Sequence, residues 1–172
     1  MKLITATDFD LVRRLYTDVI DRTPDISAHA RWAYGKHPRD ELLRTYIGNG
    51  ELYLLSDDTG VLGAVALVMR QGADYSDVSW AETLPDDNVM TVHLLAVCPD
   101  CRGRRLGSAM LALAEDMARR AGKRAVRLDV LATNLPAIRM YERAGYAFRG
   151  KKRMYAENTG FTDFLFYEKC LL

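Results

Sequence analysis

Val92–Ser108, VHLLAVCPDCRGRRLGS, runs from an apolar stretch through a proline and an Arg/Gly-rich turn into an amphipathic segment. That succession builds a pocket for a phosphate-bearing ligand. Backbone N–H groups left free at a helix start, with the helix dipole behind them, attract anions. Glycine lets the backbone approach phosphate oxygens closely, and arginines add charge-assisted donors. The stretch predicts a strand over 89–97. It also predicts a helix with Leu106, Met110, Ala114 and Ala118 on one stripe, stopped at Gly122 behind Arg119 and Arg120.

Working outward, residues 125–131 (AVRLDVL) alternate as a strand. Asn134 caps a helix reaching Ala144, with Pro136 in its first turn and Gly145 just past its end. Strands near 146–155 and 164–171 finish the chain, separated by a turn through Asn158, Thr159 and Gly160. Upstream, strands over 51–56 and 61–70 flank the hairpin signal Asp57-Asp58-Thr59-Gly60, and a polar loop covers 71–88. A strand over 2–5 precedes a helix capped by Thr7, with Leu11, Leu15 and Val19 on its apolar face. Residues 24–38 have no period and read as an irregular connection; a short helix over Arg39–Ile47 is closed by Gly48 and Gly50. The order is β-α-α-β-β-β-α-β-α-β-β, an α/β (α+β) mixed sheet. Its second half holds a right-handed crossover between parallel strands within an otherwise antiparallel arrangement.

The composition frames this as a single domain over 1–172. Hydrophobic residues make up 49% and charged residues 27%, the mix of a globular chain. A formal net charge of +1 supplies no basic field for nucleic acid, and no apolar run approaches the length of a membrane span. The N-terminus MKLITATDFD has no signal-peptide core, and three cysteines make no secreted disulfide framework. These features predict a cytoplasmic protein.

Val97–Ser108, with Arg102-Gly103-Arg104-Arg105-Leu106-Gly107, resembles the pyrophosphate-binding motif of the GNAT superfamily of acyl-CoA-dependent N-acyltransferases, Gln/Arg-x-x-Gly-x-Gly/Ala. Arg105 stands where that motif has its first glycine. The stretch from Asn134 through Ala137 and Tyr141 to Gly145-Tyr146 is similar to the superfamily's Asn-x-x-Ala-x-x-x-Tyr-x-x-x-Gly-Phe pattern, with Tyr146 replacing Phe. The two motifs occur in the family's order on either side of the crossover. The close match covers 89–148, and the chain resembles uncharacterised bacterial members more than any branch with an assigned substrate.

The resemblance implies a sheet splayed beside Leu95, with acetyl-CoA in the opening as co-substrate and no metal. It implies that the backbone of Leu95, Ala96 and Val97 pairs with the pantetheine arm, the Leu95 N–H polarising the thioester carbonyl. It further implies that Arg102, Gly103, Arg104, Arg105, Leu106, Gly107 and Ser108 hold the pyrophosphate. Asn134 and Ala137 would line the cofactor arm, and Tyr141 would act as general acid toward the departing thiolate. The acceptor would be a primary amine of a small molecule or peptide. The alternative reading of Tyr141 is an aromatic packed on a helix face.

His93 lies two residues before Leu95, so regular alternation puts both side chains on one face. Its imidazole would serve as general base for the amine, or would be a core histidine bonded to a backbone carbonyl. Cys98-Pro99-Asp100-Cys101 is a CxxC, which opens a thiol-redox reading and, with a histidine, a partial metal site. A CoA-binding regulatory module without turnover is a further alternative. Asp74, Asp77, Glu82, Asp86 and Asp87 beside Trp80 form either one wall of an acceptor site or a solvated loop; Trp32, Tyr34, His37 and the turn at 158–163 offer another wall. The basic run Arg149–Arg153 reads as a charged strand edge. The strand over 164–171, if exposed, is an edge along which two copies would pair into a homodimer.

Overall fold

The computed structural model describes residues 1–171 and gathers the strands into one seven-stranded sheet, ordered β1-β2-β3-β4-β5-β7-β6. The strands are β1 (Lys2–Thr5), β2 (Leu52–Asp57), β3 (Gly60–Val68), β4 (Val89–Val97), β5 (Ala125–Leu131), β6 (Ala147–Ala156) and β7 (Gly160–Cys170). The helices are α1 (Phe9–Arg22), α2 (Ile26–His29), α3 (Asp40–Gly48), α4 (Leu106–Arg120) and α5 (Leu135–Arg143). Only β4 and β5 pair in parallel, as the α4 crossover requires.

Helices cover both faces because the strands present apolar side chains to both. On one face Leu106, Met110, Leu111, Ala114 and Ala118 of α4, with Ile138 and Tyr141 of α5, pack on Met90, Val92, Val126, Leu128 and Val130. On the other, Val12, Leu15, Tyr16 and Val19 of α1 and Leu43 of α3 pack on Leu52, Leu54, Ala64, Ala66 and Ala96. Each buried valine, leucine, isoleucine or methionine among them contributes about 1.5–3 kcal/mol relative to exposure, which favours one register of each helix on the sheet.

Three expectations are corrected. Asp8, not Thr7, caps α1: its carboxylate accepts from the Leu11 N–H at 3.0 Å and adds a negative charge at the positive helix end. The last strand begins at Gly160 rather than 164, because polar Thr162 and Asp163 are paired across to β6, Asp163 with the Lys151 ammonium at 3.2 Å. That last strand lies between β5 and β6, so it is not an edge, and pairing of two copies along 164–171 is closed off. The edges are β1 and β6, and the basic run on β6 is ion-paired through Arg149 and Lys151.

The site is positioned by where β4 and β5 part. They pair only from Val89↔Ala125 to Val92↔Leu128. Beyond that point β4 stays with β3 as far as Val97↔Gly63, and β5 stays with β7 as far as Leu131↔Phe164. Each strand is held by its outer neighbour, so the sheet splays open between them.

Candidate functional site

The opening begins at a bulge in β4. Ala66 pairs with His93 and Ala64 with Ala96, so β4 carries one residue more than β3 across this step. Leu94 takes the extra turn at φ 52°, a left-handed conformation that costs a side-chain-bearing residue roughly 1–2 kcal/mol. The Tyr16 hydroxyl, buried beneath α1, holds it by donating to the Leu94 carbonyl at 2.6 Å. The bulge reverses the alternation. Leu95 packs with the α4/α5 cluster while His93 faces Tyr46 of α3, so the two do not share a face.

Gly63 stands opposite the bulge, where a Cβ would collide with the Ala96 carbonyl oxygen. Backbone cannot yield as a side chain can. Gly63→Ala is therefore expected to cost about 1–3 kcal/mol in thermal or urea unfolding and to displace Leu95–Val97.

Between the parted strands lies a cavity of about 370 Å³. Leu95, Asn134, Ala137 and Tyr141 line one side, and Trp32, His37, Tyr46, Tyr75, His93 and Asp129 line another. Neighbouring segments are tied together: Thr133 Oγ1 donates to the His29 carbonyl at 2.9 Å, and Arg39 pairs with Glu157 at 2.7 Å. Asn134 and Tyr141 are thus brought together as the spacing implies. The Asn134 side chain also caps α5, accepting from the Ala137 N–H at 3.4 Å. Ala96 and Val97 pack into the two apolar clusters instead of lining the cavity.

The hydrogen bonds around His93 orient its ring. Its Nε2 is 3.1 Å from Thr91 Oγ1, and that hydroxyl gives its single hydrogen to the Arg70 carbonyl, also at 3.1 Å. Thr91 is left to accept, so Nε2 carries the proton. Nδ1 lies 3.9 Å from Asp129 Oδ1. Asp129 in turn accepts from the Tyr75 hydroxyl at 2.6 Å.

Burial holds the phenols of this region in their neutral form. Tyr46 is pushed up to about 12, chiefly by burial, with Glu51 and Asp129 adding to it. Burial also raises Tyr16, Tyr75, Tyr141 and Tyr146 well above the usual phenol range, helped at Tyr75 and Tyr141 by the Asp129 charge. In the unfolded chain these groups lose protons near pH ~10. Above that pH the unfolded state binds fewer protons than the folded one, so stability is full below ~10 and declines as pH rises further. Urea unfolding is expected to become easier above pH ~10, with these tyrosines ionising only as the chain unfolds, as tyrosinate absorbance will show.

The turn before α4 has the anion-binding form. Among the described residues, the backbone N–H groups from Gly103 to Ser108 donate to no backbone acceptor. Arg105, in the glycine position of the motif, adopts φ 57°, so the loop keeps a glycine-like turn at the cost of strain. Gly107 lies against Met140 of α5, where a Cβ would strike the thioether sulfur. The arginines are partly committed: Arg102 donates to the Arg22 carbonyl at 3.1 Å and to Thr23 Oγ1, and Arg104 lies 3.7 Å from Asp57.

The remaining sequence candidates separate. Cys98 packs with the α1/α3 cluster and Cys101 with the α4/α5 cluster, and both thiols are free. Burial pushes the Cys98 thiol up, which disfavours the reactive thiolate. Among the described residues no group of three or more His, Cys, Asp and Glu side chains is arranged to hold a metal. Of the acidic loop only Asp74 reaches the cavity; Asp77 pairs with Lys152, Glu82 with Arg124 and Asp86 with Arg70. Trp32, His37, Asn158 and Thr159 line the cavity, whereas Tyr34 is exposed and bonded by Arg13.

Sequence reasoning missed Asp129, Tyr75, Tyr46 and Tyr16. A signal existed for Asp129: in AVRLDVL the alternation sets Arg127 and Asp129 on one face, opposite Val126, Leu128 and Val130. Two charges on one face of a central strand need partners.

Known proteins share this architecture. An uncharacterized N-acetyltransferase of Methanocaldococcus jannaschii is 36% identical over 70 residues, which is 41% of this chain and 31% of that protein. The match thus spans about a third of that relative's length. A GNAT-family acetyltransferase from Listeria monocytogenes superposes with a TM-score of 0.74 at 24% identity, over 98% of this chain and 94% of that one. A Salmonella typhimurium protein solved with acetyl-CoA as its cofactor gives 0.67 at 19% identity, over 100% of this chain and 94% of that one. The model of the acetyltransferase (GNAT) family matches residues 13–146, from α1 through the splayed strands to the end of the Asn134–Tyr146 motif, and the chain belongs to that family.

Proposed function

We propose that this protein transfers an acetyl group from acetyl-CoA to a primary amine by direct attack, with the thioester held where β4 and β5 part. One observation carries the reading. One cavity at the splay is lined by a buried phenol, Tyr141, and an imidazole, His93, and its wall residue Met140 lies against Gly107 of the turn whose N–H groups are free.

The residues present fit acetyl-CoA. The β4 edge beyond Val92 has no strand to pair with on the β5 side, which suits an extended amide-bearing arm. The N–H groups of Gly103–Ser108 suit a pyrophosphate, with Arg105 the cation nearest the helix start. When bound, acetyl-CoA supplies the acetyl group and a thiolate leaving group. In this reading the Leu95 N–H polarises the thioester carbonyl. His93 Nδ1 takes the proton that an amine must lose before it can attack, and Asp129 steadies the imidazolium so formed. Tyr141 holds its proton across the physiological range and gives it to sulfur. The raised Cys98 thiol and the absence of any cysteine from the cavity lining support transfer without an acyl-enzyme.

A screen of acetyl-CoA against a library of amines tests this. The expected result is amide product and free CoA in equal amounts with at least one class of amine. Tight acetyl-CoA binding without turnover across the library would overturn it in favour of a CoA-binding regulatory module. His93→Ala is expected to lower kcat/KM on the order of 10²-fold. The loss should shrink with an acceptor amine of low basicity, which is already free of its proton at neutral pH. An equal loss with basic and weakly basic amines would remove the base assignment.

A further inference from the structure

Resting on that transferase reading, we infer that Asp129 anchors the acceptor's ammonium. The acceptor class is then a cationic amine with no carboxylate beside its amino carbon, rather than an α-amino acid. Asp129 stands at the meeting point of β4 and β5. Its side chain is 22% exposed, enough to reach the cavity while largely withdrawn from bulk water. Oδ1 accepts from the Tyr75 hydroxyl at 2.6 Å and faces His93 Nδ1 at 3.9 Å. Oδ2 has no hydrogen-bond partner among the described residues and is free for a ligand.

The surroundings select charge. The cavity lining holds two carboxylates, Asp129 and Asp74, and among the described residues no lysine or arginine. Its other titratable walls are His37, held neutral by burial and by Arg39, together with His93 and neutral tyrosines. The rings of Trp32, Tyr46 and Tyr75 border the same space, Tyr46 stacked on His93 and Tyr75 on Trp80, and give it an aromatic wall suited to a cation. A carboxylate one carbon from the reacting amine would be drawn into this anionic, partly desolvated pocket with no cation to meet it. An ammonium without that carboxylate meets Asp129 directly, and its proton then lies beside His93 Nδ1. Asp129 is thus a binding residue for the acceptor and a positioning residue for the imidazole.

Calorimetry on the full chain saturated with CoA, which cannot turn over, isolates this step from chemistry. The probes are tyramine against tyrosine and histamine against histidine, pairs that differ only in the carboxylate. Each decarboxylated amine is expected to bind at least tenfold more tightly than its partner. Asp129→Asn keeps an acceptor for Tyr75 and is expected to erase most of that preference while leaving CoA affinity unchanged; Tyr75→Phe is expected to keep the preference. Equal affinities within the pairs, or a preference that survives D129N, would overturn the assignment. The pairs measured on the unaltered protein decide the matter even where D129N fails to fold. The two claims fail separately. Turnover of amino acids and amines alike removes the role of Asp129 and leaves the transferase. The amine preference without turnover on any acceptor removes the transferase and leaves the anchor.

Discussion

Tyr141→Phe is expected to lower kcat by about 10²-fold or more, with the affinity for acetyl-CoA nearly unchanged. The ring packs between Tyr146 and Tyr167, at centroid distances of 6.1 and 6.5 Å, and phenylalanine fills the same space. Among the described residues the hydroxyl makes no hydrogen bond that the change would orphan, so the folded state should lose little. What is lost is the proton that burial and the Asp129 charge keep on the phenol. That origin makes a specific demand. An acetyl thioester whose thiol is a better leaving group needs less help from an acid, so the variant should recover most of its deficit with an aromatic thioester donor. A deficit of equal size with both donors would instead mark Tyr141 as a packing residue.

Arg127→Ala is expected to destabilise the fold by about 3–5 kcal/mol, the largest single effect on stability anticipated here. Arg127 is fully buried and donates to Glu168, which is also buried, at 3.0 Å. It donates also to Gln71 at 2.6 Å and to the Glu82 carbonyl at 2.9 Å, and its guanidinium lies 4.2 Å from the Trp80 ring centre. Truncation leaves a buried carboxylate with Arg149 as its remaining ion-pair partner, and it unpins residues 71–88 at Gln71 and Glu82. That loop carries Tyr75, so the variant should show urea unfolding at lower denaturant, new proteolytic cleavage within 71–88 and weakened acceptor binding together. Replacing Arg127 with Met and Glu168 with Leu in one chain removes both charges and should recover much of the stability. It should not recover the hold on Gln71 and Glu82.

What was legible follows from which forces act locally. The hairpin at 57–60, the α4 stripe, the Asn134 cap and the β-α-β crossover are written in neighbouring residues, and each appears where its pattern places it. The start of β7 is not: Asp163 disfavours a strand until Lys151, twelve residues away, pairs with it. The internal position of β7 depends on β5 choosing it as a partner, which no local pattern encodes. The bulge at Leu94 is similarly silent, since leucine gives no hint of a left-handed turn; it is imposed by β3 on one side and by the Tyr16 hydroxyl from beneath. Regular alternation therefore misplaced His93 relative to Leu95.

Motif reasoning found Tyr141, Asn134 and the turn before α4. It gave Arg102 a phosphate to hold where the side chain is engaged at the end of α1. The carboxylate proposed to anchor the acceptor, Asp129, lies in β5, outside both motifs. Its partners come from the loop at 71–88 and from β4, so only the folded chain brings them together.

Hydrogen exchange with and without acetyl-CoA tests the central claim most directly, because it reads backbone amides at the splay itself. The account predicts added protection at Leu95–Val97 and at Gly103–Ser108, with little change in β1, β2 and β6. Protection confined to other segments, or none at saturating acetyl-CoA, would contradict it.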